Sequence, residues 1–214
     1  MSAVRLLVLG IVRMHGRTHG YAVHRELTQW KSDTWTSVKP GSVYHALKQL
    51  AKEGKLREVG AEDSSEGPER MLYALSPAGE KEFQQRLHAA FASFDPQQLG
   101  AGIAFMQSLP RERAIERLRT LHTRADENRR HLDALAPHFA DRTAPPHTAD
   151  LLELWSGGLQ ATAAWAQRLL ARLESGDYVM AGESAATKYS PAPTRTTTAA
   201  ADAPKRRGRD SRRR

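Results

Sequence analysis

The chain has 214 residues, no cysteine, a hydrophobic fraction of 40% and a formal net charge of +8. The absence of cysteine excludes a disulfide framework and thiolate metal sites. The apolar run Ala3 to Val12 contains Arg5, lacks a small-residue cleavage site and is too short to cross a bilayer, so a cytoplasmic protein without a membrane segment is expected.

From Ser2, a candidate cap, to about His15, Val4, Leu7, Val8, Ile11 and Val12 recur at helical spacing and predict a core helix. Gly16 to Gly20 read as a turn, and Val23, Leu27 and Trp30 predict a second helix from Tyr21 to Trp30. A polar connection through Ser32, Asp33 and Ser37 leads to a third helix, punctuated by Pro40 at its first position and by Gly54 just beyond its end. At 100° per residue, Val43, Ala46, Leu47 and Leu50 form an apolar stripe. Gly41, His45, Lys48 and Lys52 lie opposite, flanked by Ser42, Tyr44 and Gln49, with no carboxylate before Glu53. Such a face suits a polyanion with readable edges, and an ordinary solvated helix surface is the competing reading.

Beyond Gly54 the period becomes extended. Lys55 to Val59 and Arg70 to Leu75 predict two strands joined by an acidic, Gly- and Ser-rich loop from Gly60 to Glu69. Three helices followed by a hairpin make a winged helix-turn-helix with a two-stranded wing, whose third helix enters the major groove of double-stranded DNA.

The first 80 or so residues resemble the PadR family of bacterial transcriptional regulators through HGYAVHREL at His19 to Leu27, VKPGSVYHALKQLAKEGKL at Val38 to Leu56, and YALSPAGEKEF at Tyr73 to Phe83. The resemblance implies that the helix opening at Pro40 reads DNA, that Tyr21 and wing residues support backbone contacts, and that the C-terminal helices form a homodimer. Lys39, where many members have Ser, puts a cation at a helix start, which a nearby phosphate would offset. His45, at a site often filled by Pro, adds a donor to the groove face. Glu62, Asp63, Glu66 and Glu69 make the wing loop acidic, which leaves Arg57 and Arg70 as its candidate contacts. The DNA-binding set expected is thus Tyr21, Lys39, Gly41, Ser42, Tyr44, His45, Lys48, Arg57 and Arg70. For Tyr44, packing beside Val43 and Leu47 is the alternative, and for Tyr21, helix-junction packing. His15, His19 and His24 straddle a turn with no carboxylate at ligand spacing, so no metal site is expected.

Ser76 and Pro77 open a fourth helix whose Phe83, Leu87, Ala90, Phe91 and Phe94 share one stripe, to be covered by a second subunit or by a core of the same chain. Asp95 and Pro96 restart the chain. A long helix from Pro110 to about Ala136 carries a coiled-coil-like seam of Ala114, Leu118, Leu121, Ala125, Asn128, Leu132 and Leu135, in which Asn128 is either a register-setting or an edge residue. After the breaker ADRTAPPHT, a last helix runs from Ala149 to Glu174 with Leu151, Trp155, Leu159, Thr162, Ala166, Leu169 and Leu173 on one face and Trp165 on its flank. Gly157 and Gly158 weaken this helix but permit close approach of another element. The pattern fits a subunit interface. The resemblance also allows an effector pocket, whose aromatic walls would suit a small aromatic ligand. The candidate dimer or effector surface is therefore Phe83, Leu87, Phe91, Trp155, Leu159 and Trp165.

Residues 181–214 hold nine Lys or Arg against Glu183, Asp202 and Asp210, a net +6 that leaves only +2 for residues 1–180. Their Ala-, Thr- and Pro-rich composition predicts a disordered basic tail, either a nonspecific phosphate-binding arm or a solubilising extension. KRRGR resembles the core of minor-groove AT-hook segments, with Asp210 where that motif has proline.

No Gly-rich phosphate loop, nucleophile elbow or metal quartet occurs, so neither enzymatic activity nor a cofactor is expected. The expected architecture is mainly α: a winged helix-turn-helix at 1–82, a helical dimerisation and effector region at 83–180, and the tail at 181–214. The expected function is a homodimeric repressor of a palindromic operator. A winged-helix protein-binding adaptor, motivated by the acidic wing, and a nucleic-acid packaging protein acting through its tail are the alternatives.

Overall fold

The computed structural model describes residues 3–62, 70–139, 145 and 147–184. Its first helix, α1 (Ala3–His15), is hydrophobic on all sides: the seven residues Leu6 to Val12 are all buried. A helix apolar all round in its middle must be enclosed, and that cover comes from among the remaining elements. They are β1 (Arg17–His19), α2 (Gly20–Gln29), α3 (Pro40–Lys52), β2 (Leu56–Glu62), β3 (Arg70–Leu75), α4 (Pro77–Phe91), α5 (Pro96–Ala104), α6 (Arg111–Leu135) and α7 (Thr148–Glu174). The candidate cap Ser2 and the acidic loop residues Asp63, Glu66 and Glu69 lie outside the described residues.

The helix-helix-helix-hairpin order matches the expected winged helix, with one correction. The segment read as a turn contains β1, which pairs antiparallel with β3, so the sheet is three-stranded in the order β1-β3-β2. Three residues are too few to show alternation, and the pairing partner lies more than fifty residues away in sequence. Buried Thr18 sits opposite Tyr73 and anchors the strand.

The recognition-type helix closes against the wing through one hydroxyl. Ser76 Oγ donates to Gly54 O at 2.7 Å and accepts from Gly79 N at 3.0 Å, so it binds the end of α3 and caps α4 together. Gly54 has the positive φ of 69° expected beyond a helix end. Gly79 has no alternative: a Cβ there would stand 2.0 Å from Lys55 O.

The phenylalanines of α4 receive their cover from their own chain, not from a partner. Phe83, Leu87 and Phe91 are fully buried in a core that runs without a break from α1 to Met180. Phe83 meets Phe105 edge to face at 5.7 Å. The long helices α6 and α7 pair as an antiparallel hairpin, with Ala114, Leu118, Leu121 and Ala125 of α6 facing Ala163, Ala166, Leu169 and Leu173 of α7. Toward its distal end the phase differs from the expected stripe: Leu152 is buried, while Leu151 and Trp155 are exposed. Asn128 is an exposed edge residue. Gly157 and Gly158 meet no neighbour, so the close approach expected of them is not made within the described residues.

Folded structure also continues past residue 180, where the tail was expected to begin. Arg111, 1% exposed at the start of α6, donates through Nε and Nη2 to Glu183 at 2.7 and 2.6 Å, and also to the carbonyls of Tyr178 and Leu173. The Ala181 amide donates to Leu109 O at 3.1 Å. Residues 185–214, which hold most of the expected basic tail, lie outside the described residues.

Arg111→Ala should lower unfolding free energy by about 3 to 5 kcal/mol, the cost typical of removing one partner of a buried ion pair. Arg119→Ala, which removes an exposed pair with Glu174, should cost under about 1 kcal/mol. Equal costs in denaturant titration would contradict the clasp. A second expectation concerns acid. Arg5 of α1 binds Glu53 at 2.5 Å and Glu82 at 2.8 Å. Its hydrogen bonds, with a further one from Gln49, lower the Glu53 pKa from 4.5 to about 2. Because the folded value lies below the unfolded one, ionised Glu53 stabilises the fold at neutral pH, and that contribution is lost as pH falls through this window. Melting temperatures between pH 5 and pH 2 should fall less steeply in Glu53→Gln than in the parent.

Candidate nucleic-acid interface

The face of α3 turned away from the core develops from its first residues. Lys39 precedes the helix with an extended backbone and no side-chain cap. Ser42 supplies the closure instead: its Oγ accepts from the Lys39 amide at 3.0 Å and donates to Lys39 O at 2.6 Å. The Ser42 hydroxyl is thus committed to the helix start. Val43, Ala46, Leu47 and Leu50 are buried as expected. Lys39, Gly41, Tyr44, His45, Lys48 and Lys52 are all exposed. Among the described residues, no side-chain hydrogen bond or ion pair engages Lys39, Tyr44, His45, Lys48 or Lys52. The carboxylate at the end of the helix, Glu53, is bound to Arg5 and leaves this cationic face nearly unopposed.

The three residues His19, Gly20 and Tyr21 divide the work of joining this face to the wing. His19 Nδ1 accepts from the Ala22 amide at 3.1 Å and caps α2, a role the sequence reading did not assign. Gly20 is required by contact: a Cβ there would lie 2.6 Å from Cε1 of Tyr44. Tyr44 therefore lies over Gly20 while remaining 44% exposed, so it packs in part against the start of α2. Tyr21 is 51% exposed, stacks on His19 with centroids 6.2 Å apart, and lies beneath the Arg70 guanidinium at 5.0 Å. His19 Nε2 also stands 3.5 Å from the Glu62 carboxylate. The order β1-β3-β2 brings these groups together, because His19 pairs with Leu72 and Arg70 pairs with Glu62 across neighbouring strands.

Arg57 does not join this group. It pairs with Ala74, four residues along β3 from Arg70 or about 13 Å at the usual strand rise. Arg17 pairs with the same Ala74 from the other side, and Arg13, Arg17 and Arg57 share an open groove with Glu80.

The second set of expected residues also divides. Phe83, Leu87 and Phe91 are core residues and unavailable to a partner or ligand. Trp165 is half-buried against that core. Trp155, 54% exposed, and half-buried Leu159 line a cleft of about 440 Å³ with Phe94, Asn128, His131 and Leu154. Among the described residues, no three His, Cys, Asp or Glu side chains gather as metal ligands. No described helix is long and apolar enough to cross a membrane.

Residues 8–85 match the model of the transcriptional regulator PadR-like family. Three crystal structures are similar to the chain. Bacillus subtilis PadR in complex with operator DNA is 17% identical, with a TM-score of 0.37 over 80% of this chain and 99% of that one. The protein smu.1604c from Streptococcus mutans UA159 is 18% identical, with a TM-score of 0.33 over 78% and 98%. The PadR-like transcriptional regulator BC1756 from Bacillus cereus is 17% identical, with a TM-score of 0.32 over 80% and 98%. No curated protein matches the sequence. The family match spans the winged helix almost from end to end, from within α1 to within α4, so this part of the chain is similar to the PadR-like family of transcriptional regulators.

Proposed function

We propose that the protein is a cytoplasmic homodimeric repressor that binds a two-fold DNA operator through the exposed face of α3. The observation that carries this reading is the row Lys39, His45, Lys48 and Lys52: cationic and hydrogen-bonding groups without a partner among the described residues, on a helix whose opposite face is fully buried. In this assignment His45 and Lys48 reach base edges or nearby phosphates, Lys39 meets a phosphate at the helix start, and Tyr21, Tyr44 and Arg70 position the DNA backbone. Arg57, grouped with Arg13 and Arg17, contributes long-range attraction from the base of the wing. Residues 185–214 add sequence-independent phosphate contacts.

Gly41 supports a close approach of DNA. It lowers helix propensity by up to about 1 kcal/mol relative to Ala, yet among the described residues no neighbouring element comes within 4 Å of where its Cβ would be. No contact among the described residues explains why a side chain is missing there. The exposed Leu151, Leu154 and Trp155 on the distal part of α7 support pairing of two subunits through the α6–α7 hairpin. Two recognition helices would then meet half-sites about 34 to 36 Å apart or a multiple of that. A small aromatic effector in the Trp155 cleft would act by changing that separation.

Selection of wild-type protein on random duplex pools at about 150 mM salt should enrich a palindrome, and the Lys48→Ala, His45→Ala double variant should not. Enrichment by neither protein would contradict the reading. On the selected site, Lys48→Ala should reduce the dependence of log affinity on log salt by about one unit if it meets a phosphate. Gly41→Ala should leave the melting temperature equal or higher while weakening operator binding at least tenfold. Unchanged binding would remove Gly41 from the interface.

A further inference from the structure

Between α2 and α3 the chain makes a short 3-10 turn, Ser32–Thr34, and the residue that leads into it, Lys31, has φ 54° and ψ 39°. The left-handed region crowds a Cβ against the following carbonyl, so this position, just beyond a helix end, ordinarily goes to Gly. The chain follows that preference elsewhere. Among the described residues, every other positive φ belongs to a glycine: Gly16, Gly54, Gly60, Gly176 and Gly182. The backbone at Lys31 is held from both sides. Its amide donates to Thr28 O at 3.0 Å, and its carbonyl accepts from the Thr34 amide at 2.9 Å and the Thr34 hydroxyl at 2.8 Å. These bonds use no atom of the Lys31 side chain, so Gly would make them with less strain.

That side chain is exposed, and among the described residues no hydrogen bond or ion pair engages its ammonium group. It lines a concavity of about 260 Å³ between the end of α2 and the start of α3, together with His24, Asp33 and Lys39. Buried Leu27 and Val43 lie at its apolar side. Asp33 sets one carboxylate beside two lysines, and among the described residues no ion pair joins it to either. Two unpaired cations on one recess repel each other, and an anion between them offsets that repulsion. The positive end of the α3 dipole lies at the same edge and favours negative charge there.

We propose that Lys31 is a DNA-positioning residue: a backbone phosphate at the start of α3 lies between the Lys31 and Lys39 ammonium groups, and the left-handed lysine serves that contact while costing the fold stability. The inference rests on the reading of α3 as the DNA-binding helix. It extends the cationic surface from that helix onto the turn before it. Lys31 reads no base. A phosphate contact fixes the register of α3 in the groove and acts alike on every sequence.

Full-length wild type, Lys31→Gly, Lys31→Gln and Lys31→Arg would be compared by thermal melting and by binding to the selected operator and to a scrambled duplex across a salt series. Lys31→Gly should melt at a temperature equal to or above that of wild type, because it relieves the left-handed strain. It should bind both duplexes at least about threefold more weakly and lower the slope of log affinity against log salt by about one unit. Lys31→Gln, which keeps the strain but not the charge, should show the same loss with an unchanged melting temperature. Lys31→Arg should bind like wild type. A scan of the operator with single methylphosphonate linkages, each removing one phosphate charge, locates the partner. One position in each half-site should weaken wild type and cost Lys31→Gln nothing further. Operator binding with unchanged affinity and slope in both uncharged variants would overturn the contact alone, as would a scan in which every position costs Lys31→Gln as much as wild type. A melting temperature well below wild type in Lys31→Gly would overturn the trade of stability for contact. If wild type selects no operator, the regulatory reading falls and the Lys31 contact falls with it.

Discussion

The enclosure of α1 is the constraint on which the rest of the molecule depends. Seven consecutive buried residues leave this helix no solvent face in its middle, so every neighbour must fit against it at close packing density. Gly10 marks the tightest place on this helix: a Cβ there would fall 2.2 Å from the ring of Phe105, the residue that ends α5. The same helix therefore sets the position of α3 on one side and of α5 on another. Arg5 adds a polar tie from its N-terminal turn, joining Glu53 after α3 to Glu82 in α4. The cationic face of α3 can be rigid because its opposite face and its end are both held by this hub.

A second consequence is that the two halves of the molecule share one core. Phe83, Leu87 and Phe91 follow directly from the wing, yet they pack with α1, α5 and the base of α6 and α7. Ser76 fastens α4 to the end of α3, and Arg111 fastens the segment after α7 to the start of α6. A change in the hairpin is therefore transmitted through packed side chains and a small number of polar clasps. This is the physical basis on which a ligand in the helical half would alter DNA binding, provided that it binds the DNA-free and DNA-bound forms with different affinity.

Much of the winged helix was legible in the sequence because its elements are punctuated. Pro40, Gly54, Ser76 with Pro77, and Asp95 with Pro96 mark boundaries by local backbone chemistry, and the 100° spacing of Val43, Ala46, Leu47 and Leu50 identifies the buried face of α3. What was not legible depends on non-local partners. β1 exists only because β3 lies beside it. The stripe on α4 requires cover but does not say whose, and the cover proved internal. In α7 the adjacent pairs Leu151–Leu152 and Leu154–Trp155 offer two helical phases, and only contact with α6 selects Leu152. Composition alone cannot reveal Arg111, since arginine is ordinarily exposed and its burial depends on three acceptors brought from beyond residue 170. The resemblance rests in part on one continuous block, HGYAVHREL, whose first three residues it leaves undivided. The structure separates them into a cap, a contact glycine and an exposed ring beneath Arg70.

The chain contains no native cysteine, so one introduced thiol can be labelled without background. The most direct measurement is DNA cleavage by an iron chelate tethered at Lys52→Cys, on the exposed end of α3, with protein bound to its selected operator. Two clusters of cuts about one helical turn apart, or a multiple of it, are predicted from a pair of α3 helices in major grooves. Cleavage spread evenly along the duplex, or confined to one cluster, would contradict the account of a two-fold regulator reading DNA through α3.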